Sequence, residues 1–513
     1  MAQIMVNNVT FGYEGSFDNV FENISFSIDT DWKIGFIGRN GKGKTTFLNL
    51  LMGKYEYTGN INTSTVFDYF PYEVSERDFD KTADELMDSW KVGVESWRVI
   101  CELAALNVDA EILYRPFGTL SHGERTKIML AVLFSGDNDF LLIDEPTNHL
   151  DKEAREVIKE YLKSKEGFIL VSHDRDLLDA CTNHMLIFNR ESIEVMSGNF
   201  STWWKQKERA DINALAENEK HNKEIKKLRE TADRSNRWAI KNEATKIGFD
   251  PLKEPERNIS TRAYIGAKTK KMQSRVKNYQ NRMERSIEQK EGLLKDIEET
   301  IDLKLQPLSY HKKRLIECRD FSMKYKDGKE MLFDELTFEV MEGQRVFLCG
   351  ENGCGKSSLI KAILELNKTG SLSDTNFTTK GELIVPGNLV ISYISQDTSM
   401  LKGNLKDFAK DNGIDYTLFL SILRQLDFDR KQFQKDMKEF SEGQKKKVLI
   451  ASGLLKKAHI YIWDEPLNYI DVFSRMQIER VIKDFNPTMI LVEHDVRFRE
   501  EIATDIIEIK LTK

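Results

Sequence analysis

The chain has 513 residues, of which 40% are hydrophobic and 31% charged, and its formal net charge is −7. This length predicts about three to four domain-sized units, while no run approaches the ~18 apolar residues of a membrane span and no basic region precedes an apolar stretch at the N-terminus. The five cysteines are scattered without metal-ligand spacing, which predicts reduced thiols in a cytosolic protein rather than disulfides or a zinc site.

The first motif is a phosphate loop. Its sequence GRNGKGKT fits G-x-x-x-x-G-K-[ST] and lies between a predicted strand and a predicted helix. In such a loop the backbone N–H groups surround phosphate oxygens, Lys44 reaches the β- and γ-phosphates, and the Thr45 hydroxyl binds Mg²⁺. The predicted nucleotide-binding residues here are Gly38, Arg39, Asn40, Gly41, Lys42, Gly43, Lys44, Thr45 and Thr46.

A signature loop, LSHGE, opens the next predicted helix. Ser121 and the backbone N–H groups of a helix N-terminus form an anion site. We interpret this loop as a cap on a second nucleotide, because the γ-phosphate of its own half is already enclosed by the phosphate loop.

Two carboxylates end a later apolar strand. Asp144 is predicted at the carboxyl edge of a buried sheet, where it can hold Mg²⁺, and Glu145 is then placed to polarise the attacking water. His173 ends the following buried strand, 29 residues past Asp144, and adds a polar group at the same edge.

The middle stretch, residues 205–305, is basic and helical in pattern. It contains 25 Lys and Arg against 18 Asp and Glu, so its net charge is +7 while the remainder carries −14. Apolar residues at three- and four-residue steps predict two antiparallel helices, and Pro251 and Pro255 place the tip at about 246–266. The charge favours contact with a polyanion over the alternative of ordinary solvated helices.

The motifs then recur in the same order, which is an internal repeat. Lys356 lies 312 residues after Lys44, and Asp464, Glu465 and His494 repeat the later motifs. Because this copy keeps both its lysine and its glutamate, two hydrolysis-competent sites are expected. The predicted nucleotide-binding residues of this half are Gly350, Glu351, Asn352, Gly353, Cys354, Gly355, Lys356, Ser357 and Ser358.

Taken together, these motifs resemble the ATP-binding-cassette ATPases. The resemblance implies an α/β fold with two ABC nucleotide-binding domains, at 1–204 and 306–513, joined by a long antiparallel α-helical hairpin linker at 205–305. It implies that the domains stack head to tail, so that each ATP lies between one phosphate loop and the opposite signature loop. By the same resemblance Tyr13 and Tyr325 stack on adenine, and the signature residues are Ser121, Gly123, Glu124, Ser441, Gly443 and Gln444.

The same resemblance assigns the chemistry to both copies. Glu145 and Glu465 are the implied catalytic bases, with His173 and His494 as switch histidines. The implied Mg²⁺ ligands are Thr45, Asp144, Ser357, Gln396 and Asp464. One departure concerns the lid position, the residue that follows the strand beside the carboxylates: Gln396 fills it in the second half, but Tyr72 replaces the usual glutamine in the first.

Three functional classes contain ATP-binding cassettes and must be weighed for this chain. A transporter ATPase subunit is disfavoured because both cassettes share one chain without an apolar span, and a DNA-maintenance ATPase because there the coiled coil splits one cassette. The whole chain resembles the soluble ABC-F class of ribosome-binding factors, and GRNGKGKTT, FPYEV, RPFGTLSHGE and IYIWDEPLNYIDVF are similar to Lsa-type resistance proteins. The spacing between lid and signature predicts a short or absent arm at about 75–118.

This narrower resemblance implies ribosome protection in the cytoplasm. The expected partners are the 70S ribosome, through 23S rRNA and P-site tRNA, without a membrane subunit, and the chain is expected to be a monomer with an internal pseudo-dimer. The implied action is displacement of lincosamide, streptogramin A or pleuromutilin drugs, and a housekeeping translation factor of the same class is the alternative. The predicted linker-tip residues are Phe249, Leu252, Ile259, Tyr264 and Ile265.

Overall fold

The computed structural model describes residues 3–14, 19–41, 43–136, 139–148, 150–188, 193–244, 277, 305–326, 331–372, 376–426 and 428–510. By their internal contacts, Met1–Trp203 and Thr300–Lys513 form one compact unit and Trp204–Glu299 a second. Both predicted cassettes therefore belong to the first unit.

The first cassette is built on two sheets. β1, β2 and β4 form an antiparallel sheet, and a six-stranded sheet in the order β5-β6-β7-β3-β8-β9 is parallel except for β9. The strands are β1 Gln3–Phe11, β2 Phe21–Asp29, β3 Lys33–Gly38, β4 Thr58–Asn62, β5 Val66–Phe70, β6 Asp139–Asp144, β7 Phe168–Val171, β8 His184–Phe188 and β9 Ile193–Ser197.

Helices connect these strands. Side chains cap the N-termini of several helices. Ser121 and Glu124, for example, form a reciprocal capping box that satisfies N–H groups at the N-terminus of α4. The helices are α1 Lys44–Leu51, α2 Ala83–Trp90, α3 Ser96–Ala105, α4 His122–Phe134, α5 Lys152–Lys163 and α6 Arg175–Cys181, with short 3-10 turns at Glu76–Asp78, Ala110–Tyr114 and Phe117–Thr119.

The second cassette repeats this plan. Its antiparallel sheet has the order β11-β10-β13, and its parallel sheet the order β14-β15-β16-β12-β17. The strands are β10 Arg314–Tyr325, β11 Met331–Met341, β12 Arg345–Cys349, β13 Phe377–Ile384, β14 Ile391–Ile394, β15 Ile460–Asp464, β16 Met489–Val492 and β17 Asp505–Glu508. The helices are α8 Lys356–Thr369, α9 Leu405–Asp411, α10 Tyr416–Gln425, α11 Glu442–Leu455, α12 Val472–Phe485 and α13 Val496–Ile502, with 3-10 turns at Arg430–Gln434 and Met437–Glu439. (α7 is described below.)

The parallel strands bring the motifs together. Every residue of β7 and of β16 is buried, as expected for strands covered by helices on both faces. The carboxyl ends of neighbouring parallel strands meet at one sheet edge, and the phosphate loops, the paired carboxylates and the switch histidines all follow these ends. The predicted fold class, α/β with two nucleotide-binding cassettes, is confirmed.

The first linker helix, α7, runs from Phe200 to Ala244. Its 45 residues correspond to about 68 Å at ~1.5 Å per residue. The five predicted tip residues and Lys42 of the phosphate loop lie outside the described residues, and so does the predicted return helix except for Lys277. Among the helices that the structure describes, none combines the length and the apolar character needed to cross a bilayer.

Candidate functional site

The last glycine of each phosphate loop has the same backbone conformation. Gly43 and Gly355, immediately before α1 and α8, have φ of 88° and 97°, a left-handed conformation that glycine adopts without strain. The Nζ atoms of Lys44 and Lys356 lie 2.8 Å from the carbonyl oxygens of Gly38 and Gly350. Each lysine is therefore held over its own loop, where a nucleotide phosphate could replace the carbonyl contact. Lys44 also contacts Arg39 and Asn40, and Lys356 also contacts Glu351 and Cys354.

The predicted adenine-stacking residues lie beside these loops. The hydroxyl of Tyr13 is 2.7 Å from that of Thr46, and the hydroxyl of Tyr325 is 2.9 Å from that of Ser358. Both rings remain exposed, at 45% and 44% of their surface. An exposed aromatic ring tied to the phosphate-loop helix is suited to stacking on a base.

Carboxylates and hydroxyls converge at each sheet edge. In the first cassette the Thr45 hydroxyl donates to Asp144 Oδ2 at 2.8 Å, and the Tyr69 hydroxyl donates to the same oxygen at 3.2 Å. In the second, Ser357 bonds to Asp464, whose Oδ1 is buried without a hydrogen-bond partner in the described part of the chain. Burial raises the pKa of both aspartates. A hydroxyl beside a carboxylate is a donor set that fits Mg²⁺, which takes few protein ligands and completes its shell with phosphates and water.

The glutamate and histidine of each half are adjacent. His173 Nε2 lies 3.2 Å from Glu145 Oε1, and His494 Nε2 lies 3.7 Å from Glu465 Oε1. Both glutamates have positive φ, 51° and 48°, a conformation that costs free energy for a non-glycine residue and is concentrated at functional sites. In both halves the strand end therefore turns sharply to present this carboxylate.

The ionisation of the two glutamates differs. Burial, together with the negative charge of Asp144, raises the pKa of Glu145 to about 8. Burial also opposes ionisation of Glu465, but a hydrogen bond and positive charge from His494 hold the pKa of that carboxyl below its usual value. At neutral pH the carboxyl group of Glu465 is therefore more readily ionised than that of Glu145.

The signature loop of the second cassette lies against the first phosphate loop. A Cβ added at Gly443 would lie 3.6 Å from Asn40 Nδ2, and Asn40 donates to the Tyr469 carbonyl at 2.6 Å. The Arg39 guanidinium lies 5.8 Å from the centre of the Phe473 ring. The Lys44 site is therefore completed by residues of the opposite cassette.

The reverse contact forms at the other site. A cavity of about 560 Å³ is bordered by the second phosphate loop, by Tyr325, Gln396, Glu465 and His494, and also by two residues of the first cassette, His122 and Arg155. His122 directly follows the signature residue Ser121, which caps α4 as Ser441 caps α11. The expected head-to-tail arrangement, with two composite sites, is therefore present in the structure.

Buried ion pairs join the two cassettes beside these sites. Arg175 Nη1 donates to Glu479 Oε2 at 3.1 Å, and both side chains are at least nine-tenths buried. Arg475 donates to the His173 carbonyl of the opposite cassette at 3.2 Å, and also to Asp495 at 3.0 Å. These contacts connect the switch region of each cassette with the other.

Several of these residues escaped sequence reasoning. Arg475, Arg175 and Glu479 belong to no short motif, and the last two are 304 positions apart, so only the fold brings them together. Lys446, whose Nζ donates to the Ser395 and Glu465 carbonyls, was also missed. Aligning the repeats could have shown it, because Thr126 occupies the matching place five residues after Ser121.

Comparison with known proteins agrees with this geometry. The family model described as ABC transporter matches residues 21–148 and 333–468. The chain is 27% identical to the ribosome protection protein VmlR of Bacillus subtilis, covering 97% of this chain and 85% of that protein. It is 23% identical to ABC transporter F family member 2 of Arabidopsis thaliana, covering 99% and 76% respectively.

A solved structure shares the fold. The complex of archaeal ribosomal stalk protein aP1 with the archaeal ribosome recycling factor aABCE1 aligns with a TM-score of 0.60 and 16% identity, covering 98% of this chain and 87% of the matched chain. The family model matches twice, the structure contains two composite sites, and the relatives match nearly the whole chain. The chain therefore belongs to the ATP-binding-cassette family, within its ABC-F branch, and is an ATPase that binds ATP.

Proposed function

We propose that this ATPase is a cytoplasmic ribosome-protection factor. It binds the 70S ribosome near the tRNA exit site, contacts 23S rRNA and P-site tRNA through its linker, and displaces lincosamides, streptogramin A or pleuromutilins from the peptidyl-transferase centre. The observation that carries this proposal is the similarity to a ribosome protection protein along 97% of the chain, linker included. The net charge of +7 in residues 205–305 of an otherwise acidic chain supports a contact with RNA phosphates.

In this proposal bound ATP closes the two cassettes and hydrolysis releases the ribosome. Each γ-phosphate is held from both sides, so its loss removes an attraction that both cassettes share. Glu145 and Glu465 act as bases toward the attacking water, and His173 and His494 stabilise them. Thr45 and Asp144 would hold Mg²⁺ at the first site, and Ser357, Asp464 and Gln396 at the second, where the ion would neutralise charge on the phosphates.

Ribosome binding is tested with a variant that cannot hydrolyse ATP. Replacing both Glu145 and Glu465 with glutamine removes the bases while keeping the size of each side chain. With ATP present, this double variant is expected to co-sediment with 70S ribosomes at about one chain per ribosome, and without ATP to stay in the supernatant. The same variant carrying Lys44→Ala and Lys356→Ala is the control. ATP-independent binding, or none at all, would contradict the proposal.

A housekeeping translation factor of the same class is the second candidate. It is favoured by the plant relative, which matches 99% of the chain at an identity close to that of the ribosome protection protein. Expression in a susceptible strain that lacks the gene separates the two. Resistance predicts a rise of about eightfold or more in the inhibitory concentration of lincomycin or tiamulin, and unchanged growth without drug. A housekeeping role predicts a growth effect without drug and no change in susceptibility.

A further inference from the structure

The two lid positions can be matched through strand register. Phe70 on β5 is paired with Ile143 on β6, and Ile394 on β14 is paired with Trp463 on β15, directly before the carboxylate pair in each half. Counting two residues beyond each strand end reaches Tyr72 and Gln396. Tyr72 and Gln396 therefore occupy equivalent positions in the two cassettes. The different contacts of their side chains result from the amino-acid substitution and not from a difference in alignment.

In the second cassette the lid side chain faces the glutamate. Gln396 Nε2 donates to Glu465 Oε2 at 2.8 Å, and Asn468 Nδ2 donates to the same oxygen at 2.8 Å. Two amide donors thus fix the orientation of the carboxylate. Gln396 also borders the cavity above Lys356, so its amide is within the nucleotide site.

In the first cassette the lid side chain is turned elsewhere. The Tyr72 hydroxyl donates to Asp68 Oδ2 at 2.8 Å, and its ring stacks on Trp90 with centroids 5.4 Å apart and planes 4° from parallel. Lys91 Nζ binds the same Asp68 oxygen at 2.9 Å, and these two charged side chains are only 14% and 16% exposed. Hydrogen bonds to a charged, largely buried group are among the stronger ones, so Tyr72 is firmly held.

The residues that hold Tyr72 replace a simpler contact in the other half. Asp68 on β5 corresponds by register to Ser392 on β14. The Ser392 hydroxyl donates to the carbonyl of Gly453 on α11 at 3.3 Å, whereas Lys91 Nζ donates to the Leu133 carbonyl, its counterpart on α4, at 3.1 Å. Tyr72 thus belongs to one hydrogen-bonded network with Asp68 and Lys91 and is not an isolated replacement of glutamine.

We propose that Tyr72, held by Asp68 and Lys91, makes the Lys44 site retain ATP with slow hydrolysis, while the Lys356 site carries most of the turnover. At the Lys356 site, water oxygen bonds to the γ-phosphorus as the bond to the ADP oxygen breaks; the electron pair leaves with ADP and the water proton passes to Glu465. The Lys44 site has the same base, but its lid supplies no amide to orient base and water. This inference rests on the ATPase activity and on the proposed roles of the two glutamates, not on ribosome binding.

The first experiment follows hydrolysis of prebound ATP in a single turnover of the full chain. Two phases are expected: about one equivalent hydrolysed quickly and a second at least about tenfold more slowly, the scale on which orienting a general base acts. Glu465→Gln removes the fast phase and Glu145→Gln the slow one. A single phase of two equivalents, or loss of the fast phase in Glu145→Gln instead, overturns the proposal. Because no ribosome is present, failure of ribosome binding leaves this result unaffected.

The second experiment asks whether Tyr72 itself causes the slow phase. In the Glu465→Gln background, Tyr72→Gln combined with Asp68→Ser is expected to raise kcat at the remaining site about fivefold or more, with little change in KM. Tyr72→Phe in the same background keeps the ring on Trp90, supplies no amide, and is expected to stay slow. An equal rise in both variants would show that loosening the loop suffices, and would overturn the positioning role, as would no rise in a double variant that circular dichroism shows to be folded.

Discussion

The Lys44 and Lys356 sites share their lysine, paired carboxylates and histidine but differ in the residues around them. Around Lys44 the opposite cassette approaches closely, with Asn40 bonded to the Tyr469 carbonyl at 2.6 Å. Around Lys356 there is a cavity of about 560 Å³, with His122 and Arg155 of the opposite cassette at its border. Duplication explains the shared phosphate loops and carboxylates; the differences lie at the lid position, where Tyr72 stands against Gln396, and in residues outside the motifs. A pseudo-symmetric ATPase can therefore diversify its two sites while keeping the lysine, aspartate and glutamate of each.

The largest expected effect concerns the buried pair Arg175–Glu479, which joins the two cassettes. Arg175→Met leaves the Glu479 carboxylate without its partner in a site where its side chain is 8% exposed. Removing one member of a buried ion pair costs about 3–5 kcal/mol, so the urea midpoint of unfolding should fall clearly. Glu479→Met should cost a similar amount, and the double variant should recover most of the loss because no charge is left unpaired.

The matched control is the exposed pair of the second cassette, Lys483 and Glu501, whose side chains are 45% and 53% exposed. Lys483→Met should change stability by less than about 1 kcal/mol, since water screens exposed pairs. Equal effects of Arg175→Met and Lys483→Met would show that the buried pair does not hold the cassettes.

Next in size is a lysine present at one site only. Lys446 Nζ donates to the carbonyls of Ser395 and Glu465, both at 3.1 Å, and so ties the lid of the Lys356 site to its glutamate. Lys446→Met keeps the side-chain length but loses both bonds, which corresponds to about 2–3 kcal/mol or a ~30- to 160-fold lower steady-state kcat. Thr126→Val, at the equivalent position of the other half, should change kcat less than about twofold.

A smaller effect is expected at the arginine that connects the two switch regions. Besides Asp495 and the His173 carbonyl, the Arg475 guanidinium donates to the Leu467 and Ile470 carbonyls. Lysine keeps the charge but has one nitrogen, so Arg475→Lys should lower ATP hydrolysis about tenfold and reduce the steepness of its dependence on ATP concentration. The matched variant Arg155→Lys, at the open site, should keep that steepness. Identical curves for both variants would exclude a special coupling role for Arg475.

Features that depend on local sequence patterns could be predicted, whereas contacts between residues far apart in the sequence could not. The phosphate loops, buried strands and repeated order were predictable because they are local patterns, and the fold class and family are confirmed. The substitution at Tyr72 is visible in the sequence, but the role of Lys91, which binds the same Asp68 oxygen as Tyr72, is not, since nothing within the motif marks a residue 19 positions away. The Arg175–Glu479 pair depends on head-to-tail stacking of two domains, so it could be found only after the cassettes had been placed together.

The smallest predicted effect concerns the glycines of the two signature loops. A Cβ at Gly443 would lie 2.8 Å from the Tyr469 carbonyl oxygen of the same cassette, which accepts from Asn40 of the opposite cassette. A Cβ at Gly123 would meet nothing closer than 3.8 Å. Tyr469 already has φ of 63°, which leaves its backbone little freedom to move away. Gly443→Ala should therefore weaken ATP binding at the Lys44 site about threefold to tenfold, measured with a fluorescent ATP analogue in a variant whose other site is disabled by Lys356→Ala.

Gly123→Ala is the control, measured at the Lys356 site in the Lys44→Ala background. It should leave affinity within about twofold, and it should slightly stabilise the protein because alanine is the better helix former by about 1 kcal/mol. Equal losses at both sites would mean that the Tyr469 carbonyl does not restrict the second signature loop. The asymmetry of hydrolysis would then have to come from the lid residues alone.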